Sequence, residues 1–366
     1  MTDRAEGLSM KLTSIPGGLV VAVLSALSFG TSGALVKPLL EAGWSPAAAV
    51  TVRAFTAGLV LLPLALVALR GRWRVLWIGR WRVLGMGVVG VAFTQLAYFA
   101  AISTIPVSTA LLIEFLAPLI LVGVAWAVSK RMPRPAVFLG SALAVGGLVL
   151  VIGPGAIQAV DPLGLLFAFL AAIGCAAYFF IAARPDQGLP PIALAAFGLL
   201  VGGLILGLLG LTGVLALTAT FEDLPLFGSP APWWVPLVLL VVVSTAVAYG
   251  TGITATGVLG SRLASFVGLL EVVFASLFAW LLLGEQLTPL QLLGGLLILG
   301  GIAAVRSDRG ELVLPSPFPA DASAPVGHAA PGGAASANAS SLATAASGAE
   351  TSTAPEPAPA LDGTTP

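Results

Sequence analysis

Three ionisable side chains, Arg53, Glu114 and Glu271, lie inside long apolar runs of this sequence. A charge placed in hydrocarbon is costly, so such residues face a cavity, a partner or a solute. Two carboxylates and a guanidinium could bind a charged small molecule, or take up and release a proton. Arg53 lies about 7 residues into its run, roughly 10 Å deep at a rise of 1.5 Å per residue. Glu114 lies at a similar depth, and Glu271 falls close to the middle of its own run. Thr94, Gln95 and Tyr98 add hydrogen-bonding groups within one helical turn, and Ser244, Thr245 and Tyr249 do so in a second run. Ser and Thr in such runs ordinarily bond back to their own helix. Glu271 is therefore the strongest candidate for substrate binding or coupling. Glu114, Arg53, Tyr98, Gln95, Thr94 and Tyr249 complete the expected site. Two roles stay open for Arg53: pairing with Glu114 or Glu271 to hold the bundle, or binding substrate.

The elements that must position these groups follow from composition. The chain is 58% hydrophobic and 9% charged, whereas a soluble domain carries about 25% charge. A polytopic, all-α integral membrane protein is the expectation, with the lipid bilayer as its surroundings. Net charge is zero and there is no basic block, so no nucleic-acid partner is expected. The single cysteine, Cys175, allows no disulfide within the chain and reads as a packing residue, and the single histidine, His328, lies near the C-terminus. Phosphate-loop, His-Glu-x-x-His and Gly-x-Ser-x-Gly patterns are absent. An enzyme, a cofactor and a metal are therefore not expected.

A bilayer core needs roughly 20 apolar residues per helix. Ten such runs lie near 18–38, 46–69, 83–103, 107–128, 136–153, 163–183, 192–214, 233–255, 263–283 and 288–305. Residues 88–151 and 242–305 are the same segment written twice without a gap. Val88-Val89 answers Val242-Val243, Ala125-Trp126 answers Ala279-Trp280, and Pro135, Gly140 and Gly146-Gly147 answer Pro289, Gly294 and Gly300-Gly301. Arg131 stands where Glu285 stands, a reversal of charge. A unit with an odd number of spans, repeated, faces the other way, so equivalent loops lie on opposite sides of the membrane. Ten transmembrane helices arranged as two inverted five-helix repeats are expected. Under this register Glu114 and Glu271 differ by three residues, and positions i and i+3 share a helix face.

Placing the N-terminus in the cytoplasm leaves every Lys and Arg except Lys37 and Arg53 on the cytoplasmic side, as the positive-inside rule requires. Both termini are then cytoplasmic. Trp73, Trp77 and Trp81 stand at i, i+4 and i+8 among arginines. That spacing predicts an amphipathic turn anchored at the interface, with a lipid site as the other reading. After Arg309 the chain is rich in Ala, Pro, Ser, Gly and Thr, a composition that cannot bury enough surface to fold. The expected organisation is a cytoplasmic N-terminal segment 1–17, repeats 18–156 and 157–306, and a disordered cytoplasmic tail 307–366.

Several motifs resemble the EamA-type ten-span exporters of the drug/metabolite transporter superfamily. They are Ser28-Phe29-Gly30-Thr31-Ser32 with Lys37-Pro38, Arg53-Ala54-Phe55, Glu114-Phe115-Leu116-Ala117-Pro118, Leu270-Glu271-Val272-Val273 and Leu283-Gly284-Glu285. Phe29 replaces the usual Trp, Val272 replaces a usual Pro, and the first repeat has Lys130-Arg131 where Gly-Glu would stand. The resemblance covers about 18–306. It implies alternating access and export of small metabolites, with relatives that handle amino acids and their derivatives.

The expected function is therefore a secondary active transporter of the cytoplasmic (inner) membrane, exporting small polar metabolites such as amino acids, with protons as the candidate coupling ion. A buried carboxylate is the group that could carry the proton. A monomer or a homodimer would serve. Uptake, efflux of toxic compounds, and a receptor, channel or scaffold role are the alternatives.

Overall fold

Polar residues at the edges of the apolar runs start the helices. Ser14 Oγ accepts from the Gly17 N–H and Ser45 Oγ from the Ala48 N–H, at 3.3 and 3.2 Å. Asp161 accepts from the Leu163 N–H at 2.7 Å. Each cap is followed within two residues by a proline, whose missing N–H and fixed φ suit a first helical turn.

The computed structural model describes residues 14–102, 104–105, 107–130, 132–153, 161–184, 188–284 and 288–307. Arg4, Lys11, the Arg131/Glu285 pair, Arg309, His328 and the expected tail beyond residue 307 lie outside the described residues. In order, the elements are α1 (Ile15–Gly30), α2 (Ser32–Glu41), α3 (Pro46–Leu69), α4 (Trp73–Ile78) and α5 (Arg80–Gly85). A π-helical segment (Met86–Phe93) runs into α6 (Thr94–Ile102), followed by α7 (Val107–Glu114), α8 (Ala117–Ser129) and α9 (Pro135–Ile152). Then come α10 (Pro162–Ala182), α11 (Pro191–Leu211), a hairpin of β1 (Leu224–Leu226) and β2 (Ser229–Ala231), and α12 (Trp234–Val241). A second π-helical segment (Val242–Val247) leads into α13 (Ala248–Gly268), α14 (Leu270–Leu283) and α15 (Pro289–Ser307).

Eight helical stretches among the described residues are long and apolar enough to cross a membrane, and Pro135–Val151 and Leu270–Leu282 are shorter apolar helices. Two of the ten expected runs thus take a different form. The first is simply short. The second, expected at 263–283, is divided at Leu269, and its first half continues the preceding helix. Within that continuous 35-residue stretch, Trp234–Gly268, Gly260 has φ 78° and ψ 162° and breaks the helix. Only glycine adopts that conformation without steric cost. Large side chains such as Leu64, Leu166 and Leu296 are exposed, as a lipid-facing surface requires.

The two copies bend at the same places. The π-helical segments coincide at residues 88–93 and 242–247. The helix carrying Glu114 breaks at Phe115 and Leu116, and its equivalent breaks at Leu269. The residues that end α8 and α14, Lys130 and Gly284, are equivalent and both left-handed, with φ 54° and 71°. Lys130 adopts there a conformation that favours glycine, and its sequence departure does not change the local fold.

Equivalent helices also pack on each other. A Cβ on Gly140 would fall 2.7 Å from Gly301 O, and one on Gly147 would fall 2.5 Å from Gly294 O. Position numbers fall along α15 as they rise along α9, so the pair is antiparallel. The two contacts exchange under the 154-residue register, which makes the interface self-complementary. Helices α3 and α11 meet in the same antiparallel sense, Gly58 against Leu200 and Gly203 against Phe55. Small residues permit this approach of backbones, which supplies the packing that the hydrophobic effect cannot provide in lipid.

Two expectations about loops are corrected. Trp73, Trp77 and Trp81 do not share one helix, because Gly79 ends α4 and begins α5. All three rings remain exposed, and Arg80 lies over Trp77 and Trp81 at 4.9 and 5.5 Å. The loop after α11 also departs from an all-α description. Phe227 and Gly228, both at positive φ, make the two-residue turn of the β1–β2 hairpin. Trp44 Nε1 donates to Thr220 O at 2.7 Å and Trp44 stacks on Trp233, so this loop closes over the turn between α2 and α3.

The glycine contacts generate a paired prediction. Gly147→Ala should destabilise the protein by about 1–3 kcal/mol through overpacking. Gly146→Ala, where a Cβ meets nothing within 4 Å, should leave the melting temperature unchanged or raised. Thermal unfolding of the purified protein in detergent measures both.

Candidate functional site

The bends bring polar residues to one place. Arg53 lies in the second turn of α3. Thr94 opens α6 just after the first π-helical segment, and Gln95 and Tyr98 follow within a turn. Tyr249 stands second in α13, just after the other π-helical segment, in the position equivalent to Gln95. Glu114 is the last residue of α7, immediately before its break, and Glu271 is in the first turn of α14, immediately after the equivalent break. π-helical turns and broken helices in lipid are tolerated where they line a cavity.

All seven expected residues, Arg53, Thr94, Gln95, Tyr98, Glu114, Tyr249 and Glu271, line a single cavity of about 570 Å³. The cavity runs from Leu40 and Pro46, on either side of the α2–α3 turn, to Thr256 and Ser265 near the other end of the bundle. Arg53, Glu114 and Glu271 are half-buried, with their exposed part facing this space. The guanidinium of Arg53 donates from Nη1 to Ser32 Oγ at 3.0 Å. Among the described residues it closes no ion pair with either glutamate, although the three charges lie within electrostatic range of one another. The structural pairing left open for Arg53 is thus replaced by a hydrogen bond to α2.

Not every expected group points its hydrogen bond into the cavity. Thr94 Oγ1 donates to Val89 O at 2.8 Å and is buried. Thr245 donates to Leu240 O at 2.8 Å, and both Ser244 and Thr245 are buried away from the cavity wall. Carbonyls at the π-helical turns thus recruit the two threonine hydroxyls, whereas Ser244 Oγ is buried without a partner among the described residues.

Sequence reasoning missed several wall residues. Tyr178, 9% exposed, lines the cavity, and its buried hydroxyl has no hydrogen-bond partner among the described residues. Its ring stands edge-on to Tyr249 at 5.7 Å and to Phe179 at 5.1 Å, and Phe29 packs edge-on against Tyr249 at 5.2 Å. The chain has only three tyrosines, and all three line the cavity. That scarcity was the available signal. Ser32 and Cys175 also line it, so Cys175 is a wall residue as well as a packing one. Among the described residues no three His, Cys, Asp or Glu side chains converge as a metal site would require.

Apolar membrane-crossing helices around a cavity with charged and aromatic walls define a multi-pass membrane transporter. The EamA-like transporter family matches residues 16–153 and again 162–307, and the chain belongs to that family. It is 24% identical over 303 residues to the Salmonella typhimurium protein described as an uncharacterized inner membrane transporter, YicL, spanning 80% of this chain and 95% of that one. A protein of known crystal structure superposes with a TM-score of 0.61 at 20% identity, over 79% of this chain and 96% of its own. That likeness shows the fold alone.

Cys175 supplies a test of the cavity. As the only cysteine, it should react in the native protein with a small neutral maleimide, and the mass increase should be that of one adduct. Labelling that occurs only after denaturation would contradict its place on an accessible wall.

Proposed function

We propose that this transporter is a secondary active exporter of the cytoplasmic membrane that carries small polar metabolites, amino acids or related compounds, by alternating access. The observation that carries the reading is the state of the two glutamates. Among the described residues neither Glu114 nor Glu271 has a hydrogen bond or an ion pair within the protein, and both face the cavity. Carboxylates at membrane depth without a partner are costly. A proton or a positively charged solute would relieve that cost, which is the requirement for coupling one to the other.

The rest of the reading concerns arrangement. Ten spans form two inverted five-helix repeats, 18–156 and 157–306, between a short N-terminal segment 1–17 and a tail 307–366, with both termini in the cytoplasm. Support comes from the self-complementary antiparallel contacts of α9 with α15 and from the matched bends. The cavity is lined by both repeats, as alternating access about their interface requires. The inner-membrane description of the Salmonella typhimurium relative favours the same membrane here.

Cells expressing wild type, Glu271→Gln or an empty vector should differ in the metabolites of their medium. One or more amine-bearing compounds should accumulate outside only with wild type, and identical profiles would contradict export. In vesicles, wild-type flux should rise with an imposed pH gradient and Glu271→Gln flux should not. A variant that keeps full gradient dependence would remove Glu271 from the coupling role.

A further inference from the structure

The balance of charge and ring in the cavity says more about the solute than polarity alone. We infer that the cavity binds an organic cation with an apolar body, its amine held by Glu114 and Glu271 and its body against the aromatic wall of Phe29, Tyr98, Tyr178, Phe179 and Tyr249. This deepens the transporter reading and rests on it.

Three observations carry the inference. First, two carboxylates face the cavity with no hydrogen bond or ion pair among the described residues, against one guanidinium whose Nη1 is already engaged by Ser32. A solute carboxylate would find one cation and two repelling anions, whereas an ammonium finds the reverse. Second, the rings stand edge to face along one wall, with Phe29, Tyr249, Tyr178 and Phe179 successively 5.2, 5.7 and 5.1 Å apart. Aromatic faces attract cations and bury apolar groups, and a bare polar solute would leave that wall unused. Third, the buried Tyr178 hydroxyl, on a residue of the cavity wall, has no partner among the described residues, and a buried polar atom in that state gains from any rearrangement on binding that supplies a hydrogen bond. A cavity of about 570 Å³ exceeds the needs of the smallest amino acids and accommodates an arylalkylamine.

The experiment uses the full chain in proteoliposomes and four probes: 2-phenylethylamine, phenylalanine, 3-phenylpropanoate and threonine. They differ in charge at nearly constant shape, or in the body alone. Protection of Cys175 from N-ethylmaleimide reports occupancy, and counterflow of labelled probe reports transport. The phenylethylammonium ion should protect at a concentration at least about tenfold below that of 3-phenylpropanoate, and also below those of phenylalanine and threonine. Glu271→Gln and, separately, Glu114→Gln should each shrink that ratio, with a melting curve confirming that the variant is folded. Should either variant fail to fold, the ratio among probes in wild type still decides. Stronger protection by the anion, the zwitterion or threonine, or protection by none of the four, would overturn the inference. Counterflow separates the two failures. Counterflow of a non-cationic probe leaves the carrier standing without the cation preference. Protection by phenylethylammonium without its counterflow supports the site and contradicts transport of that ligand.

Discussion

The close contact of Gly140 with Gly301, and of Gly147 with Gly294, fixes the two halves of this protein against each other. In lipid, apolar side chains gain nothing by leaving the solvent, so helices associate only where their surfaces fit. Backbone carbonyls within reach of the opposite helix leave no room for a Cβ at these four positions. Because the positions exchange under the repeat register, one surface was fitted once and used twice. Among the described residues none of α9 or α15 lines the cavity, so the contact leaves that space free. Two further pairs, α3 with α11 and α1 with α13, meet in the same antiparallel sense, and the cavity is lined from α1, α2, α3, α6, α10, α13 and α14 among others.

That space is polar because the helices bend. A straight helix satisfies all its own backbone groups and offers lipid or cavity only side chains. Here each repeat carries one π-helical segment and, further along, an equivalent break at Phe115-Leu116 or at Leu269, and Thr94, Gln95, Glu114, Tyr249 and Glu271 stand beside them. Thr94 and Thr245 spend their hydroxyls on carbonyls released by the π-helical turns. Gln95 and Tyr249, next along, face the cavity. The two glutamates stand on opposite sides of equivalent breaks, which accounts for their three-residue offset between copies.

Much of this was legible in the sequence. Apolar runs marked the helices because only such runs can cross hydrocarbon, and an ungapped repeat of 64 residues marked the internal symmetry. Buried ionisable residues pointed to the cavity because charge at depth has few other uses. What was not legible depended on tertiary geometry. The helix break at Gly260 lies inside an apolar run that reads as continuous. The hairpin at 224–231 is set by a Phe at positive φ, which no turn preference would suggest. Tyr178 and Cys175 lie in a run whose periodicity does not say which face meets the cavity. The partner of Arg53 depended on α2, not on either glutamate.

The central claim is that the two repeats lie inverted across the bilayer. Arg134 and Thr288 are equivalent and both exposed, so they report it directly. In a Cys175→Ala background, Arg134→Cys and Thr288→Cys would each be treated in intact cells with a membrane-impermeant thiol reagent. The account predicts that position 288 labels from outside and that position 134 labels only once the membrane is opened. Labelling of both positions from the same side would contradict inverted repeats and, with them, alternating access about their interface.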